Sequence, residues 1–460
     1  MEKNKSQPSF ALFLGPLLAF ILGTLLFLYG WSFAAIVTAS VTALCATWWV
    51  FEPIPIPATS LLPLALFPLF GVLNKSQVAE SYGSPLILLL LAGFILSKAL
   101  EKSGAHRRLA LNMIHLFGGH NPKRLVFGFM VASAVLSMWI SNTATTLMLL
   151  PVALAALEGS KDKELTPTLL LAIAYSASLG GLGTPIGTPP NLIFVNVYQE
   201  STGKTIDFIQ WMSWAVPVVC LFLPLMGLWL TRNLKSQESF ELPCPGPWRR
   251  EEIRTLAVFS LTALAWVTIK NPFGGWSQLF GITTANYSAV GLTAVVFMFL
   301  IPNGHGGRLL DWERAETIPW GILLLFSGGI ALAKAFMITG LSASLGQILA
   351  GLSSLHLILL TLIICLSVSF LTEITSNTAT TTLLMPVLAA VALSAKFDPM
   401  ILMVPAAMSA SCAFMLPVAT APNAVVFSSK KIAIKTMVHE GFTLNIIGAF
   451  VITLVCYFLL

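Results

Sequence analysis

Charged residues are scarce in this sequence of 460 residues. Asp, Glu, Lys and Arg together make up 10% of it, whereas ordinary soluble domains contain about 25%. We therefore do not expect a soluble multidomain enzyme of this length. The formal net charge is +6, but the basic residues form no basic face interleaved with aromatic residues, which argues against a nucleic-acid partner.

Closely spaced cysteines and catalytic motifs are also missing. The six cysteines lie far apart and form no CxxC or Cys/His pair, so the sequence predicts neither a disulfide framework nor a thiol-based metal site. We interpret them as small apolar packing residues. The sequence contains no HExxH motif and no nucleophile–base arrangement. We therefore predict that the protein is not an enzyme.

The sequence does contain long apolar blocks. Apolar residues make up 56% of the chain, and they fall into blocks of about 20, the length that a helix needs to cross a hydrocarbon core about 30 Å thick. This arrangement predicts an all-α polytopic membrane protein. Hydropathy places eleven spans in it, near residues 10–29, 31–51, 55–73, 84–103, 166–197, 208–231, 254–270, 283–302, 318–339, 400–428 and 438–459.

Two further apolar stretches, near 122–157 and 354–395, are each broken at the middle by a polar cluster. A segment that enters the membrane, turns on polar residues and leaves on the same side is a re-entrant hairpin. Its turn survives only where protein or a water-filled cavity surrounds it. A plain pair of helices is the alternative, but the polar midpoints favour two re-entrant helical hairpins.

The placement of basic residues predicts the topology. Nineteen of the 25 Lys and Arg residues lie in loops on the same side as the N-terminus, and the positive-inside rule makes that side cytoplasmic. The first hairpin then enters from the cytoplasm and the second from outside, so the two are opposed. The N-terminal segment Met1–Ser9 is predicted to be cytoplasmic and Leu460 to lie outside. The basic loops would contact anionic lipid.

The two halves of the chain repeat one another. Ser141–Val152 is identical to Ser376–Val387 at nine of twelve positions, at an offset of 235 residues. Thr188–Asn191 matches Thr420–Asn423 at an offset of 232, with Ala421 where the first copy has its first proline. Five predicted spans separate the two long segments. Because five is an odd number, the repeats are inverted, which is typical of secondary transporters.

A charged, proline-containing stretch from Asn233 to Glu252 divides the chain near its middle. Paired breaks in helices, here near Gly183–Pro190 and Pro417–Pro422, mark the substrate site in inverted-repeat transporters. The predicted organisation is N-terminal helices at 1–52, repeat 1 at 53–232 with an inner hairpin at 121–160 and a broken helix at 166–197, a cytoplasmic linker at 233–253, and repeat 2 at 254–460 with an outer hairpin at 354–395 and a broken helix at 400–428.

Each copy of Ser-Asn-Thr lies at a hairpin tip, where the second arm begins. These residue types cap helix starts, and capping alone is one interpretation. A helix start also carries about half a positive charge and free N–H groups, so it can bind an anion. Two such starts that face one another would suit a ligand with two anionic ends.

No Lys or Arg lies within fifteen positions of either tip. A dianion would therefore need further positive charge, which a co-bound cation could supply. Hydroxyls at Ser137 and Thr372 lie one helical turn before the tips, and the broken helices offer free carbonyls, which are oxygen ligands that Na⁺ accepts. By symmetry Gly187 corresponds to Ala419, which predicts one Na⁺ site in each repeat.

Three charged residues within the predicted spans have two interpretations each. Glu373, beside the second tip, is either a proton carrier or a hydrogen-bonded structural carboxylate, and repeat 1 has Met138 in its place. Lys98 and Lys334 are either substrate ligands or side chains that reach from helix ends to the membrane surface, and the second interpretation is favoured.

The paired Ser-Asn-Thr motifs, Gly-Thr-Pro-Ile-Gly-Thr-Pro-Pro-Asn at 183–191 and Leu-Pro-Val-Ala-Thr at 416–420 resemble those of the divalent anion/sodium symporter family. Members of that family are bacterial and animal di- and tricarboxylate transporters. The resemblance covers essentially the whole chain. It implies eleven spanning helices, a homodimer with scaffold and transport domains, and elevator-type movement in the cell inner membrane.

The resemblance also implies roles for particular residues. Substrate carboxylates would bind at the two tips, to Ser141, Asn142, Thr143, Ser376, Asn377 and Thr378. The first Na⁺ site would comprise Ser137, Ser141, Asn142 and Gly187. The second would comprise Thr372, Ser376, Asn377 and Ala419.

Three hypotheses for the function follow. A Na⁺-coupled importer of C4-dicarboxylates such as succinate, fumarate or malate is the first. The alternative is a carboxylate exchanger or H⁺-coupled carrier on the same fold, with a tricarboxylate or sulfate as substrate, and an exchanger is expected to carry protein positive charge near the tips. A channel or an intramembrane enzyme is the third.

Overall fold

The computed structural model describes residues 9–117, 121–158, 160, 162, 164–235, 240, 244–270, 274–282, 284–344 and 356–460. Residues 1–8 of the predicted cytoplasmic segment lie outside the described residues, as do Lys161, Lys163, parts of the linker and the first two residues of the predicted outer hairpin. Within the described ranges the chain is helical, and its β-structure is limited to a single isolated bridge between Pro302 and Arg308.

The described residues form 22 α-helices and one 3₁₀ turn at Gly181–Gly183. In chain order the helices are α1 (Ser9–Leu28), α2 (Phe33–Phe51), α3 (Ile56–Thr59), α4 (Leu61–Leu69), α5 (Lys75–Tyr82), α6 (Pro85–Ser103), α7 (Ala105–Phe117), α8 (Pro122–Ser137), α9 (Asn142–Ala156), α10 (Leu165–Gly180), α11 (Pro189–Thr202), α12 (Phe208–Leu230), α13 (Arg250–Val267), α14 (Gly275–Leu279), α15 (Tyr287–Leu300), α16 (Trp312–Ala315), α17 (Trp320–Ile338), α18 (Leu357–Leu371), α19 (Asn377–Ser394), α20 (Met400–Ala410), α21 (Ala421–Ser428) and α22 (Ile434–Leu459).

The long apolar helices confirm the prediction of a polytopic all-α membrane protein. Eight helical segments of the described chain are long and apolar enough to cross a membrane. One of the eight, Leu165–Gly183, covers only the first part of the predicted span near 166–197, and four other predicted spans contain no such segment. The span near 55–73 is the pair α3 and α4, and the spans near 166–197 and 400–428 are the broken pairs α10–α11 and α20–α21.

Both predicted hairpins are present. In the first, α8 ends at Ser137 and α9 begins at Asn142, so the turn consists of residues 138–141. In the second, α18 ends at Leu371 and α19 begins at Asn377. The hydroxyl of Ser141 accepts a hydrogen bond from the Ala144 N–H at 3.2 Å, which caps the start of α9.

The two broken helices lie at the centre of the molecule. Helix α10 is buried along almost its whole length, and it packs against α8, α9, α12 and α21. The second arm of each hairpin also packs against the broken helix of the other repeat, because α9 contacts α21 and α19 contacts α11. The repeats are therefore interleaved, so that each tip lies beside the helix breaks.

The described end of the linker is anchored to the first turn of α7. Arg108 forms an ion pair with Glu252 at 2.7 Å, and both side chains are buried. Its guanidinium also donates to the carbonyls of Pro245 and Gly246, at 2.6 and 2.7 Å. These added hydrogen bonds supply the partners that a buried ion pair needs.

Candidate functional site

A cavity of about 710 Å³ lies where the hairpin tips and the helix breaks meet. Its lining comes from both repeats, including α6 and α17, and from the end of α2. The structure brings together every residue predicted to bind substrate, since the lining includes Ser141, Asn142, Thr143, Ser376, Asn377 and Thr378. Residues separated by 235 positions in the sequence therefore share one site.

Four helix starts, rather than the two expected, reach this cavity. Helices α9 and α19 begin at the tips, and α11 and α21 begin at the far ends of the breaks, at Thr188–Pro189 and Thr420–Pro422. Each start carries a partial positive charge, and those of α9 and α19 also have free N–H groups. Helix α11 instead begins with Pro189 and Pro190, which have no N–H, and the Asn423 N–H of α21 donates to the Thr420 hydroxyl at 3.2 Å. The cavity is consequently suited to an anionic ligand.

The first predicted cation site lies behind the first tip. Ser137 is fully buried, and its hydroxyl donates to Asn142 Oδ1 at 2.6 Å. A methyl group at Gly181 would lie 2.8 Å from Asn142 Oδ1 and 3.2 Å from the carbonyl oxygen of Gly187. The Asn142 amide oxygen and the Gly187 carbonyl oxygen thus converge next to Gly181, where glycine leaves room that a side chain would fill, and the Ser137 hydroxyl is hydrogen-bonded to that amide oxygen.

The second tip repeats the same arrangement. The Thr372 hydroxyl donates to Asn377 Oδ1 at 2.7 Å and to the carbonyl of Ala410 at 3.1 Å. Thr372 is fully buried, and Ala419 lines the cavity as Gly187 does. Repeat 1 requires glycine at position 187 because a Cβ there would lie 2.5 Å from the carbonyl oxygen of Gly181.

Two asparagines without an assigned role hold the breaks in shape. Asn191 Nδ2 donates to the carbonyls of Gly181 and Thr184, at 3.0 and 2.8 Å. Asn423 Nδ2 donates in the same way to Ala413 and Leu416, at 3.1 and 3.0 Å. Both asparagines end the repeated segments Thr188–Asn191 and Thr420–Asn423, and this repetition is the sequence signal of a shared structural function.

The buried oxygen atoms around the breaks fit a hard cation. Within the described chain, the hydroxyls of Ser178 and Ser411 and the Oδ1 atoms of Asn191 and Asn423 are buried without a hydrogen-bond partner. Such atoms are normally paired. No cluster of three His, Cys, Asp or Glu residues is found among the described residues. The donor set of hydroxyl, amide and carbonyl oxygens therefore suits Na⁺ rather than a transition metal.

The expectation that no basic residue lies near the tips is wrong, because Lys98 on α6 lines the cavity. Its Nζ forms an ion pair with Glu101 at 2.8 Å, so the pair adds little net charge. The sequence distance of more than 40 residues between Lys98 and Ser141 hid this proximity. Lys334 does not line the cavity and pairs instead with Glu80.

The two tips differ in one wall of the cavity. Trp139 of the first tip lines the cavity and stacks on Phe208, with ring centroids 6.1 Å apart. It also meets Phe259 edge-on at 5.7 Å. Ile374 takes its place in the second tip, and 69% of that residue is exposed. The symmetry of the polar groups is therefore not matched by the apolar groups around them.

Inverted repeats, two hairpins and a central cavity at paired helix breaks define a secondary transporter fold. Solved structures share it. The chain superposes on the Alcanivorax borkumensis YdaH transporter with a TM-score of 0.60 at 16% identity, covering 95% of this chain and 98% of that one. It superposes on Neisseria gonorrhoeae MtrF with a TM-score of 0.55 at 12% identity, covering 85% and 83%.

Sequence comparison identifies the family. The model for the family described as citrate transporter (CitMHS) matches residues 46–402. The sodium-dependent dicarboxylate transporter SdcS of Staphylococcus saprophyticus is 40% identical over 97% of this chain and 90% of its own length. SdcS of Staphylococcus aureus is 38% identical over 100% of this chain and 94% of its own length. The chain belongs to the divalent anion/sodium symporter family of membrane transporters, as its motifs predicted.

Proposed function

We propose that the protein imports C4-dicarboxylates together with Na⁺. The observation that carries the proposal is the cavity in which two Ser-Asn-Thr tips and two further helix starts meet. The curated relatives bear names that specify sodium and dicarboxylate, which supports the same substrates here.

The carboxylates of the substrate would bind at opposite tips. The N–H groups, hydroxyls and amides of Ser141–Thr143 would hold one end, and those of Ser376–Thr378 the other. Lys98 is paired with Glu101, so it does not supply a free positive charge to the substrate. The positive charge that balances the two carboxylates would then come from the co-bound Na⁺ ions. Substrate and Na⁺ would then raise each other's affinity by the same factor.

Each Na⁺ would bind behind one tip. The proposed ligand sets contain Ser137, Ser141, Asn142 and Gly187 in repeat 1, and Thr372, Ser376, Asn377 and Ala419 in repeat 2. The hydroxyl–amide hydrogen bonds at 2.6 and 2.7 Å support both sites, because each brings together two oxygen atoms whose remaining lone pairs can face a cation. A cation beside these oxygens would hold each tip against its break.

Transport would proceed by movement of the hairpins and broken helices as one body against the scaffold helices. We further propose that the protein is a homodimer in the inner membrane, with a cytoplasmic N-terminus and Leu460 outside. The division into 1–52, 53–232, 233–253 and 254–460 belongs to the same proposal. It is supported by the helix boundaries and the asymmetry of the basic loops.

The test is uptake of labelled succinate into proteoliposomes, with Na⁺ outside or replaced by K⁺ or choline. We expect uptake only with Na⁺, and competition by fumarate and malate. Calorimetry of succinate binding over a Na⁺ series, at ionic strength held constant by choline, should show affinity rising steeply with more than one ion per substrate. Flat affinity across the series would support the exchanger or H⁺-coupled alternative, in which Lys98 would leave Glu101 to pair with the substrate.

A further inference from the structure

Glu373 is a buried carboxylate that directly follows Thr372 of the second proposed Na⁺ site. It is 3% exposed and does not line the cavity. Its Oε1 accepts hydrogen bonds from the N–H groups of Phe414 and Met415, at 2.7 and 2.9 Å, and its Oε2 accepts one from Leu416 at 3.0 Å. Every one of these partners is a donor, which is the pattern of a structural carboxylate.

A side chain from a third helix completes this cluster. Asn445, fully buried on α22, donates from Nδ2 to Glu373 Oε1 at 2.7 Å, and its Oδ1 accepts from the Phe414 N–H at 3.3 Å. The carboxylate therefore joins the second hairpin, the break between α20 and α21, and the last helix. Charge-assisted hydrogen bonds of this kind are stronger than neutral ones.

The three N–H groups belong to the turn that presents Ala419. The Leu416 N–H binds Glu373, while the Leu416 carbonyl accepts from Asn423 Nδ2 at 3.0 Å and from the Ala419 N–H at 3.2 Å. One residue thus connects the carboxylate to the backbone of a proposed cation ligand. A change in the carboxylate is therefore coupled through Leu416 to the backbone at Ala419.

The helix break of repeat 1, between α10 and α11, is held by different contacts. Met138 stands at the position of Glu373, and its carbonyl accepts a hydrogen bond from the Thr184 hydroxyl. The Trp211 indole donates to the Leu182 carbonyl at 2.8 Å. No carboxylate among the described residues takes part in these contacts. The two proposed Na⁺ sites are therefore alike in their ligands but unlike in the charge next to them.

We propose that Glu373 is a positioning residue for the second Na⁺ site, and that it makes this site bind Na⁺ more tightly than the first. The inference rests on the proposed function, because it assumes that Thr372 and Ala419 are cation ligands. The carboxylate acts in two ways: it fixes the turn that carries Ala419, and its negative charge favours a nearby cation. The second site then fills first as the Na⁺ concentration rises.

The experiment measures Na⁺ binding to the purified protein through two readouts, the Na⁺-dependent shift in melting temperature and the Na⁺ dependence of succinate binding by calorimetry. In Glu373→Gln an NH₂ group replaces one oxygen and faces an N–H donor. We expect the half-saturating Na⁺ concentration of the tighter site to rise about tenfold, as for loss of a hydrogen bond to a charged group.

Double variants locate the effect. Glu373→Gln should lose most of its effect in a Thr372→Ala background and keep it in a Ser137→Ala background, because coupled residues are non-additive and distant ones are additive. Equal effects in both backgrounds would overturn the inference. If neither Thr372→Ala nor Ser137→Ala changed the Na⁺ dependence, the proposed sites themselves would fail, which is a different result.

Two further variants separate positioning from general stability. Glu440→Gln makes the same chemical change at another carboxylate of α22. Glu440 pairs with Arg232 at 2.7 Å and does not line the cavity. This variant should therefore leave the half-saturating Na⁺ concentration unchanged. Asn445→Ala keeps the carboxylate and its three backbone donors, and it should weaken Na⁺ binding severalfold in the same direction. If Glu373→Gln did not fold and Asn445→Ala left Na⁺ binding unchanged, Glu373 would serve folding alone.

Discussion

The oxygen cluster at the first tip depends on the missing side chain of Gly181, and this gives a sharp prediction. The backbone of Gly181 has φ −55° and ψ −21°, which alanine adopts without strain. The effect of Gly181→Ala must therefore be steric. The added methyl would lie 2.8 Å from Asn142 Oδ1 and 3.1 Å from Asn142 Nδ2, well inside the optimal separation of about 3.5 Å for non-bonded atoms.

Relief of this contact moves the Asn142 amide, since the methyl is fixed to the backbone. That movement breaks the 2.6 Å hydrogen bond from Ser137 and withdraws a proposed Na⁺ ligand. Loss of one contact to a charged ligand corresponds to about 1.5–3 kcal/mol, or roughly a tenfold to hundredfold rise in the half-saturating Na⁺ concentration. Overpacking should also lower the stability of the protein, by about 1–3 kcal/mol.

The assay is succinate binding by calorimetry over a Na⁺ series, with the melting temperature recorded for each variant. Gly93→Ala is the matched control, because Gly93 lines the same cavity and its added methyl would lie 3.8 Å from Ile186, an ordinary contact. The control should resemble the wild type. If Gly181→Ala showed the Na⁺ dependence of Gly93→Ala, Asn142 would not be a cation ligand and the reasoning would be refuted.

Three further predictions concern the substrate, its surroundings and the topology. Asn142→Ala and Asn377→Ala should each reduce substrate affinity about tenfold to hundredfold in a folded protein, measured by binding at saturating Na⁺; near-normal affinity in both would reduce the motifs to helix caps. Lys98→Met should weaken succinate binding by up to about fivefold by leaving Glu101 unpaired, and an unchanged Kd would remove the pair from the site. In a background without native cysteines, a cysteine at Leu460 should react with an impermeant reagent on intact cells and one at Lys3 should not; the reverse labelling would overturn the orientation.

Local and repeated features of this protein could be predicted from sequence. The cap at Ser141 and the breaks in α10–α11 and α20–α21 follow from residue types that act on their own backbone. Ser376 begins α19 in the equivalent position, but its side chain makes no capping hydrogen bond. The duplicated motif added a long-range constraint, because paired helix breaks in inverted-repeat transporters lie together at the interface of the repeats. That constraint was sufficient to place both tips in one cavity.

Contacts between segments without a repeat could not be predicted. Lys98 enters the cavity because α6 forms part of its wall, and hydropathy carries no information on which helices enclose a cavity. Glu373 has partners 41 to 72 residues further along the chain, at Phe414 and Asn445. Its two interpretations could be separated only when those donors were located in space.

The mismatch between polar symmetry and apolar asymmetry has a stereochemical consequence. A ligand with two identical ends can occupy the cavity in two poses related by the pseudo-two-fold axis, and two equivalent poses lower its binding free energy by RT ln 2, about 0.4 kcal/mol. Trp139 on one side and Ile374 on the other remove this equivalence for a ligand with a substituent between its carboxylates. The hand of such a chiral dianion would then be selected by a single aromatic wall, while the charged ends are held alike for either enantiomer.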